Sequence, residues 1–409
     1  MGLAVLMDIQ LSAYYTLILA VLVLLVGKFL VKHIRFLRNF NIPEPVAGGL
    51  VAALLSYGLF LTTGYRLSVD GSVQTVFMLV FFSSIGLSAN FAKLRAGGSS
   101  LIVFLLVIVV FIVVQNAVGV SLASLLGLDP MVGLITGSIT LVGGHGTAGA
   151  WADVLEHQYG VQGALTLGIA CATFGLIIGG LIGGPVAKWL IQRNNLVGPT
   201  GHSSDAVDAT TPNFEFPNKT RLITSDAAIE SLALFAGCLA FAEFMGGITK
   251  GTALQLPTFV WALGGGVLIR NALEYVFHYP VFDRAIDVFG NAALSIYLAV
   301  ALLSLKLWEL SGLAGPLMLI LAVQTVVMAL YAAFVTFRVM GRNYDAAVLA
   351  AGHCGFGMGA TPTAVANMQA ITNQYGPSHK AFLIVPMVGA FFIDLINAAA
   401  IQLFIKFMP

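Results

Sequence analysis

Long apolar runs separated by short polar breaks dominate this chain. Runs of the ~20 residues needed to cross a hydrocarbon core fall near 12–31, 44–63, 74–93, 101–126 and 161–191, then near 224–246, 255–276, 286–307, 313–338 and 380–405. The pattern predicts an all-α integral membrane protein with ten spans, five in each half. Two glycine-dense segments, 130–157 and 344–372, stand apart from these runs. Each divides around its glycines into two apolar arms of roughly 10–13 residues, about 15–20 Å at helical rise, too short to cross. Backbone that leaves the helix cannot face lipid unpaired. Each segment therefore reads as a re-entrant hairpin that enters and leaves on one side. Broken elements at matching positions of two halves point to the binding site of a transporter.

Composition and charge sharpen the picture. Hydrophobic residues make up 58% of the 409 and charged residues 9%, with a mean hydropathy of +0.94. Soluble domains carry about 25% charged residues, so the solvent here is a bilayer. A net charge of +1 leaves no basic face for nucleic acid. With the central polar loop inside, fifteen Lys and Arg fall at cytoplasmic ends and four (Arg66, Lys250, Lys306 and Lys406) outside. This positive-inside bias puts both termini on the outer side. Five spans per half, an odd number, then make the halves inverted copies whose hairpins enter from opposite faces. Cys171, Cys238 and Cys354 lie in apolar stretches without metal or disulfide spacing and read as buried small hydrophobes.

The repeat is visible in residues too. Ile42-Pro43-Glu44-Pro45-Val46 resembles Leu256-Pro257-Thr258-Phe259-Val260, each near the start of a second span. Gln115 matches Gln324 at an offset of 209, Gly144-His145 matches Gly352-His353 at 208, and Tyr159-Gly160 matches Tyr375-Gly376 at 216. The chain thus divides into a first repeat, 1–193 with the hairpin 130–157, and a second, 223–409 with the hairpin 344–372. The polar, Pro- and Ser-bearing segment 194–222 is the cytoplasmic linker between them.

Each hairpin turn gathers an incoming helix end, with free carbonyls, and an outgoing one, with free amides. Carbonyls suit a bare cation, and amides at a positive helix end suit a carboxylate. Asp129-Pro130 and Thr361-Pro362 read as N-caps followed by proline, and Thr147 as a cap for the first hairpin's second arm. Candidates for substrate contact are Ser138, Thr140, Gly144, His145, Gly146 and Thr147 in the first hairpin. In the second they are Gly355, Gly357, Thr361, Thr363 and Asn367. Candidate cation ligands are Gly143, Gly144, Gly352, His353 and Thr361, joined by Asp394 and Asn397 from the last span. An intramembrane carboxylate such as Asp394 is a functional hypothesis by default, as a cation ligand or a partner for a substrate ammonium, set against a structural contact. One histidine per hairpin, with no second at helical spacing, is a poor metal site, so His145 and His353 are read as hydrogen-bonding or ligand-contacting groups. The Gly355-Phe356-Gly357-Met358-Gly359 run lacks the spacing of a phosphate loop, and nothing in the chain calls for an organic cofactor. Pro43 and Pro45 read as packing or hinge residues.

Several motifs carry a family likeness. They are Ile42-Pro43-Glu44-Pro45-Val46-Ala47-Gly48-Gly49, Gly137-Ser138-Ile139-Thr140-Leu141-Val142-Gly143-Gly144-His145-Gly146-Thr147, the stretch from Tyr344 to Gly357, Gly359 to Ala364, and Val385 to Asp394. Together they resemble the bacterial sodium/glutamate symporter family over nearly the whole chain. The resemblance implies a transporter of the bacterial inner membrane, not an enzyme, that takes up glutamate with sodium. It implies a homodimer whose protomers each have a scaffold and a mobile transport domain carrying the hairpins. Composition and spacing alone give a transporter with inverted repeats; substrate and ion come from the likeness. A carrier for another carboxylate such as citrate, an intramembrane hydrolase and a channel are the competing readings. The hydrolase lacks a nucleophile–base spacing.

Overall fold

The computed structural model describes residues 7–40, 42–63, 65–91, 98–198, 223–252, 256–305 and 313–408. Of the expected linker, only 194–198 falls among them. Long apolar helices form where the sequence is apolar for twenty or so residues, since a helix satisfies its own backbone in lipid. In chain order they are α1 (Ala13–His33), α2 (Glu44–Thr63), α3 (Gly71–Ser88) and α4 (Gly98–Leu125). The first glycine-dense segment gives α5 (Pro130–Ile139) and α6 (Gly144–Tyr159), and α7 (Ala164–Arg193) follows. The second half gives α8 (Ser225–Thr249), α9 (Thr258–Tyr275), α10 (Asp283–Leu303) and α11 (Ala314–Val339). Its glycine-dense segment forms α12 (Tyr344–Gly357) and α13 (Thr361–Tyr375). The chain ends in α14 (His379–Met387) and α15 (Ile393–Phe407), joined by a wide helical turn at Val388–Phe392.

Eight of these helices are long and apolar enough to cross a membrane among the described residues. The predicted spans at 255–276 and 380–405 are helical but fall outside the eight: α9 carries Arg270 and Glu274, and the wide turn interrupts α14–α15. The structure is not purely helical. Met7–Gln10 (β1), just before α1, pairs in parallel with Tyr65–Ser68 (β2), just after α2. Both lie beyond the apolar runs, where the backbone is free to form a short ladder.

Local chemistry sets the hairpin boundaries. Asp129 caps α5 by accepting from the Met131 amide at 2.8 Å, with Pro130 in the first turn. The matching cap of α12 is Asn343, which accepts from the Ala346 amide at 2.9 Å. Inside α5 the backbone breaks at Gly137 (φ −104°, ψ −135°), and the Asn116 Oδ1 of α4 accepts from the freed Ser138 amide at 2.9 Å. The repeated Tyr-Gly pairs prove to be helix ends: Gly160 and Gly376 take φ of +71° and +105°, a region open to glycine.

The buried apolar residues divide unevenly. One large cluster draws mainly on 101–191 and 317–405, so it contains both hairpins, α4, α7 and α11. Three smaller clusters draw mainly on α1–α3 and α8–α10.

Candidate functional site

The two hairpin tips meet. A Cβ built on Gly144 (φ +64°) would lie 3.7 Å from the carbonyl oxygen of Gly359. Beside this junction lies a cavity of about 480 Å³. The first hairpin contributes Val142, Gly143, Gly144, His145 and Gly146; the second contributes Phe356, Gly359, Ala360, Thr361 and Pro362. Leu176 of α7, and Gly389, Ile393 and Asp394 of the last segment, complete that side. The facing wall comes from elements with their own smaller clusters: Pro43, Glu44 and Pro45 at the start of α2, Phe81 of α3, and Asn291, Leu294, Ser295 and Leu298 of α10.

Of the candidate substrate and cation contacts from the sequence, Gly143, Gly144, His145, Gly146, Thr361 and Asp394 line this cavity, and so do Pro43 and Pro45, read from the sequence as packing or hinge residues. The others stand behind it and hold the hairpins in place. Thr140 donates to the Ile135 carbonyl at 2.6 Å, and Asn397 donates through Nδ2 to the Ser138 carbonyl at 2.9 Å. Asn367 donates through Nδ2 to the Gly179 carbonyl at 2.8 Å, tying α13 to α7. Thr147 and Thr363 are buried, as is Ser138. Gly352 packs against Met368 and Val385, and Gly355 against the backbone of Ala364, each too closely for a side chain. The Gly357 carbonyl accepts from Gln115 Nε2 at 3.0 Å.

The histidines of the two Gly-His pairs sit differently. His353 is fully buried, its Nδ1 2.8 Å from the Thr336 hydroxyl and its ring enclosed by Phe104, Phe111, Tyr331 and Phe356. His145 lines the cavity, with Nε2 3.0 Å from the Thr173 hydroxyl.

Two of the expected caps are corrected. α6 begins at Gly144 with Gly143 as its cap, so Thr147 lies within its first turn; α13 begins at Thr361 after Ala360. Extended backbone at Ala360 (φ −159°, ψ 164°) does the turning, and no side chain caps that end. Both second arms nonetheless start at the cavity, so their first amides, which lack helical acceptors, lie at its wall. Glu44, Asn291 and Ser295 were not anticipated. Asn291 and Ser295 are four residues apart, a polar stripe on one face of an apolar helix, and Glu44 is an acidic residue between two prolines at a span's start. Those are the signals that could have found them.

Known proteins show the same pattern of residues. The family model for the sodium/glutamate symporter matches residues 9–377. The chain belongs to the sodium/glutamate symporter family. A sodium/glutamate symporter of Haemophilus influenzae is 54% identical over 399 residues, spanning 97% of this chain and 98% of that protein. One of Escherichia coli is 54% identical over 396 residues, with the same shares covered. As a symporter family member the chain is a multi-pass membrane transporter rather than an enzyme.

Proposed function

We propose that this protein couples sodium influx to glutamate uptake across the bacterial inner membrane, and that the cavity between the hairpin tips holds the substrate. The meeting of Gly144 and Gly359 beside Asp394 carries this reading. It gathers in one place two helix N-termini for carboxylates and an intramembrane carboxylate for a cation. The names of the related proteins supply glutamate and sodium. All ten predicted spans cross, both termini are periplasmic, and the hairpins re-enter from opposite faces. α1–α3 with α8–α10 form a scaffold, through which two protomers pair. The hairpins with α4, α7, α11, α14 and α15 form the transport domain that carries the cavity across. The separation of the buried clusters and the two-sided lining of the cavity support that division. Thr361, Asp394, His145 and the Gly143–Gly146 turn are the ligand-facing residues, while Asn397, Gly352 and His353 act from behind them.

The test is radiolabelled glutamate uptake into proteoliposomes with sodium, lithium or proton gradients imposed separately. Concentrative uptake with sodium, lost in Thr361→Ala and Asp394→Ala, is the expected result. Uptake driven by a proton gradient alone, or citrate accumulated in preference to glutamate, would overturn it.

A further inference from the structure

Thr173 lies on α7, behind the first hairpin, and its hydroxyl makes two contacts. One is to the Ile169 carbonyl oxygen at 2.8 Å, a turn earlier on the same helix; the other is to His145 Nε2 at 3.0 Å. A hydroxyl has a single proton, and a carbonyl can only accept. The contact with Ile169 is therefore a hydrogen bond only if Thr173 donates to it, the common back-bond of a helical threonine. With its proton so used, Thr173 must accept from Nε2–H. The ring forms no ion pair among the described residues, and an unpaired buried charge is costly, so it carries one proton rather than two. Nδ1 is then a bare lone pair, without a protein partner among the described residues, on a side chain that lines the cavity.

The rest of the wall says what such a lone pair is for. Amides at the starts of α6 and α13 and the hydroxyl of Thr361 are donors, which a dicarboxylate requires, while the Ser295 hydroxyl spends its proton on the Asn291 carbonyl at 2.9 Å. An amino acid adds a cationic group that requires acceptors. The carboxylates of Glu44 and Asp394 also line the cavity, two acceptors where an ammonium has three protons to place. We infer that Thr173 fixes His145 as the Nε2–H tautomer, so that Nδ1 accepts a hydrogen bond from the α-ammonium of the substrate and distinguishes an amino acid from a diacid of equal length. The inference rests on the glutamate reading above and names the atom that makes the distinction. Its opposite is well defined: were Thr173 to donate to Nε2, Nδ1–H would be a donor and would read a carboxylate. His353 has no such role, because its ring is closed in by aromatic side chains away from the cavity.

Sodium-driven uptake by the full chain in proteoliposomes, with glutarate (glutamate without its amine) as competitor, tests this. Thr173→Val should raise the KM for glutamate about tenfold, the scale of one hydrogen bond to a charged group, and leave kcat and glutarate inhibition within about twofold. Thr173→Ser, which keeps the hydroxyl, should restore the wild-type KM. Equal weakening of glutamate and glutarate, or no change in either, would overturn the inference, because a packing role treats both alike. Nitrogen NMR of the wild-type protein in vesicles reads the tautomer without any substitution at Thr173. The His145 resonances are assigned by their loss in His145→Gln. An unprotonated Nδ1 that shifts with glutamate and not with glutarate is expected, and a protonated Nδ1 would sink the inference. Failure of the wild type to accumulate glutamate would count against the proposed function, and the ring nitrogens would still report the tautomer.

Discussion

Gln324 donates through Nε2 to the backbone carbonyl of Gln115 at 2.8 Å, so the two glutamines paired by the sequence repeat also touch in space. Equivalent positions of two related units can meet only near the axis that relates them, as across a twofold interface. If the two halves are inverted copies, as their sequence repeat predicts, that axis would pass between α4 and α11, beside the second hairpin's tip. The two glutamines bond differently: Gln115 reaches through Nε2 to the Gly357 carbonyl at 3.0 Å, whereas Gln324 reaches to Gln115 itself.

The two glutamines should therefore differ in weight. The Gly357 carbonyl ends α12 and has no helical donor beyond it, so Gln115→Leu strands a buried acceptor. The Gln115 carbonyl lies inside α4 and keeps its helical partner when Gln324 is replaced. Thermal unfolding in detergent should show Gln115→Leu destabilised by about 1–3 kcal/mol, and Gln324→Leu by less than about 1. Sodium-driven uptake should fall further in the first. Equal shifts would place both side chains in mere packing.

Gly175 of α7 is a point where the backbone of the second hairpin sits close. A Cβ there would lie 2.2 Å from the Met358 carbonyl oxygen, a clash with backbone that no rotamer change relieves. Gly184, on the same helix, has nothing within 4 Å of the equivalent position. Gly175→Ala should abolish sodium-driven uptake while the protein still reaches the membrane, and Gly184→Ala should transport like the wild type. Full activity in Gly175→Ala would show that this hairpin need not seat on α7.

Arg270 is 2% exposed, pairs with Glu274 at 2.7 Å and with Asp283, and donates to the Leu87 carbonyl at 3.1 Å. Asn90 donates to the same Glu274 at 2.6 Å. One guanidinium thus joins the end of α3, the last turns of α9 and the start of α10, and it does not line the cavity. Arg270→Met should cost about 3 kcal/mol, the low end for a broken buried pair because both carboxylates are partly solvated. Arg270→Lys recovers only part of this, since an ammonium lacks the fork. Unfolding temperatures check the ranking, and the sodium dependence of residual uptake should be unchanged.

The bilayer explains what could be read from the chain. Lipid demands long apolar helices and forbids loose backbone, so the eight long apolar helices and the Tyr-Gly ends at Gly160 and Gly376 left local marks. The cap assignments failed for a local reason: at Thr361 the turn is made by extended backbone at Ala360, and at Thr147 by Gly143 and Gly144. Nothing local separates His145 from His353, since each follows a glycine in a small-residue run; how the hairpin is seated decides which ring meets the cavity. Glu44 and the Asn291–Ser295 stripe join the site only because a different group of helices closes it, and that is a tertiary fact. Arg270 could be placed at a helix end from charge alone, but its burial depends on three helix ends converging.

Asp394 gives the sharpest test of coupling. It lines the cavity and makes no ion pair among the described residues, while Glu44 lines the same cavity from the start of α2. If Asp394 binds the coupling cation, Asp394→Asn removes the charge and keeps the shape. The sodium concentration for half-maximal uptake should then rise by about tenfold or more, as for the loss of one charged ligand. Linkage adds a second expectation, because sodium and substrate that favour one another do so reciprocally. Glutamate affinity in the variant should be weak at low sodium and recover towards the wild-type value at saturating sodium. Glu44→Gln, on α2 rather than on the last segment, should leave the sodium curve within about twofold of wild type. Sodium titrations of uptake at several glutamate concentrations measure both effects. A wild-type sodium curve in Asp394→Asn would remove that residue from the cation site, and a shifted curve in Glu44→Gln alone would move the site to the facing wall.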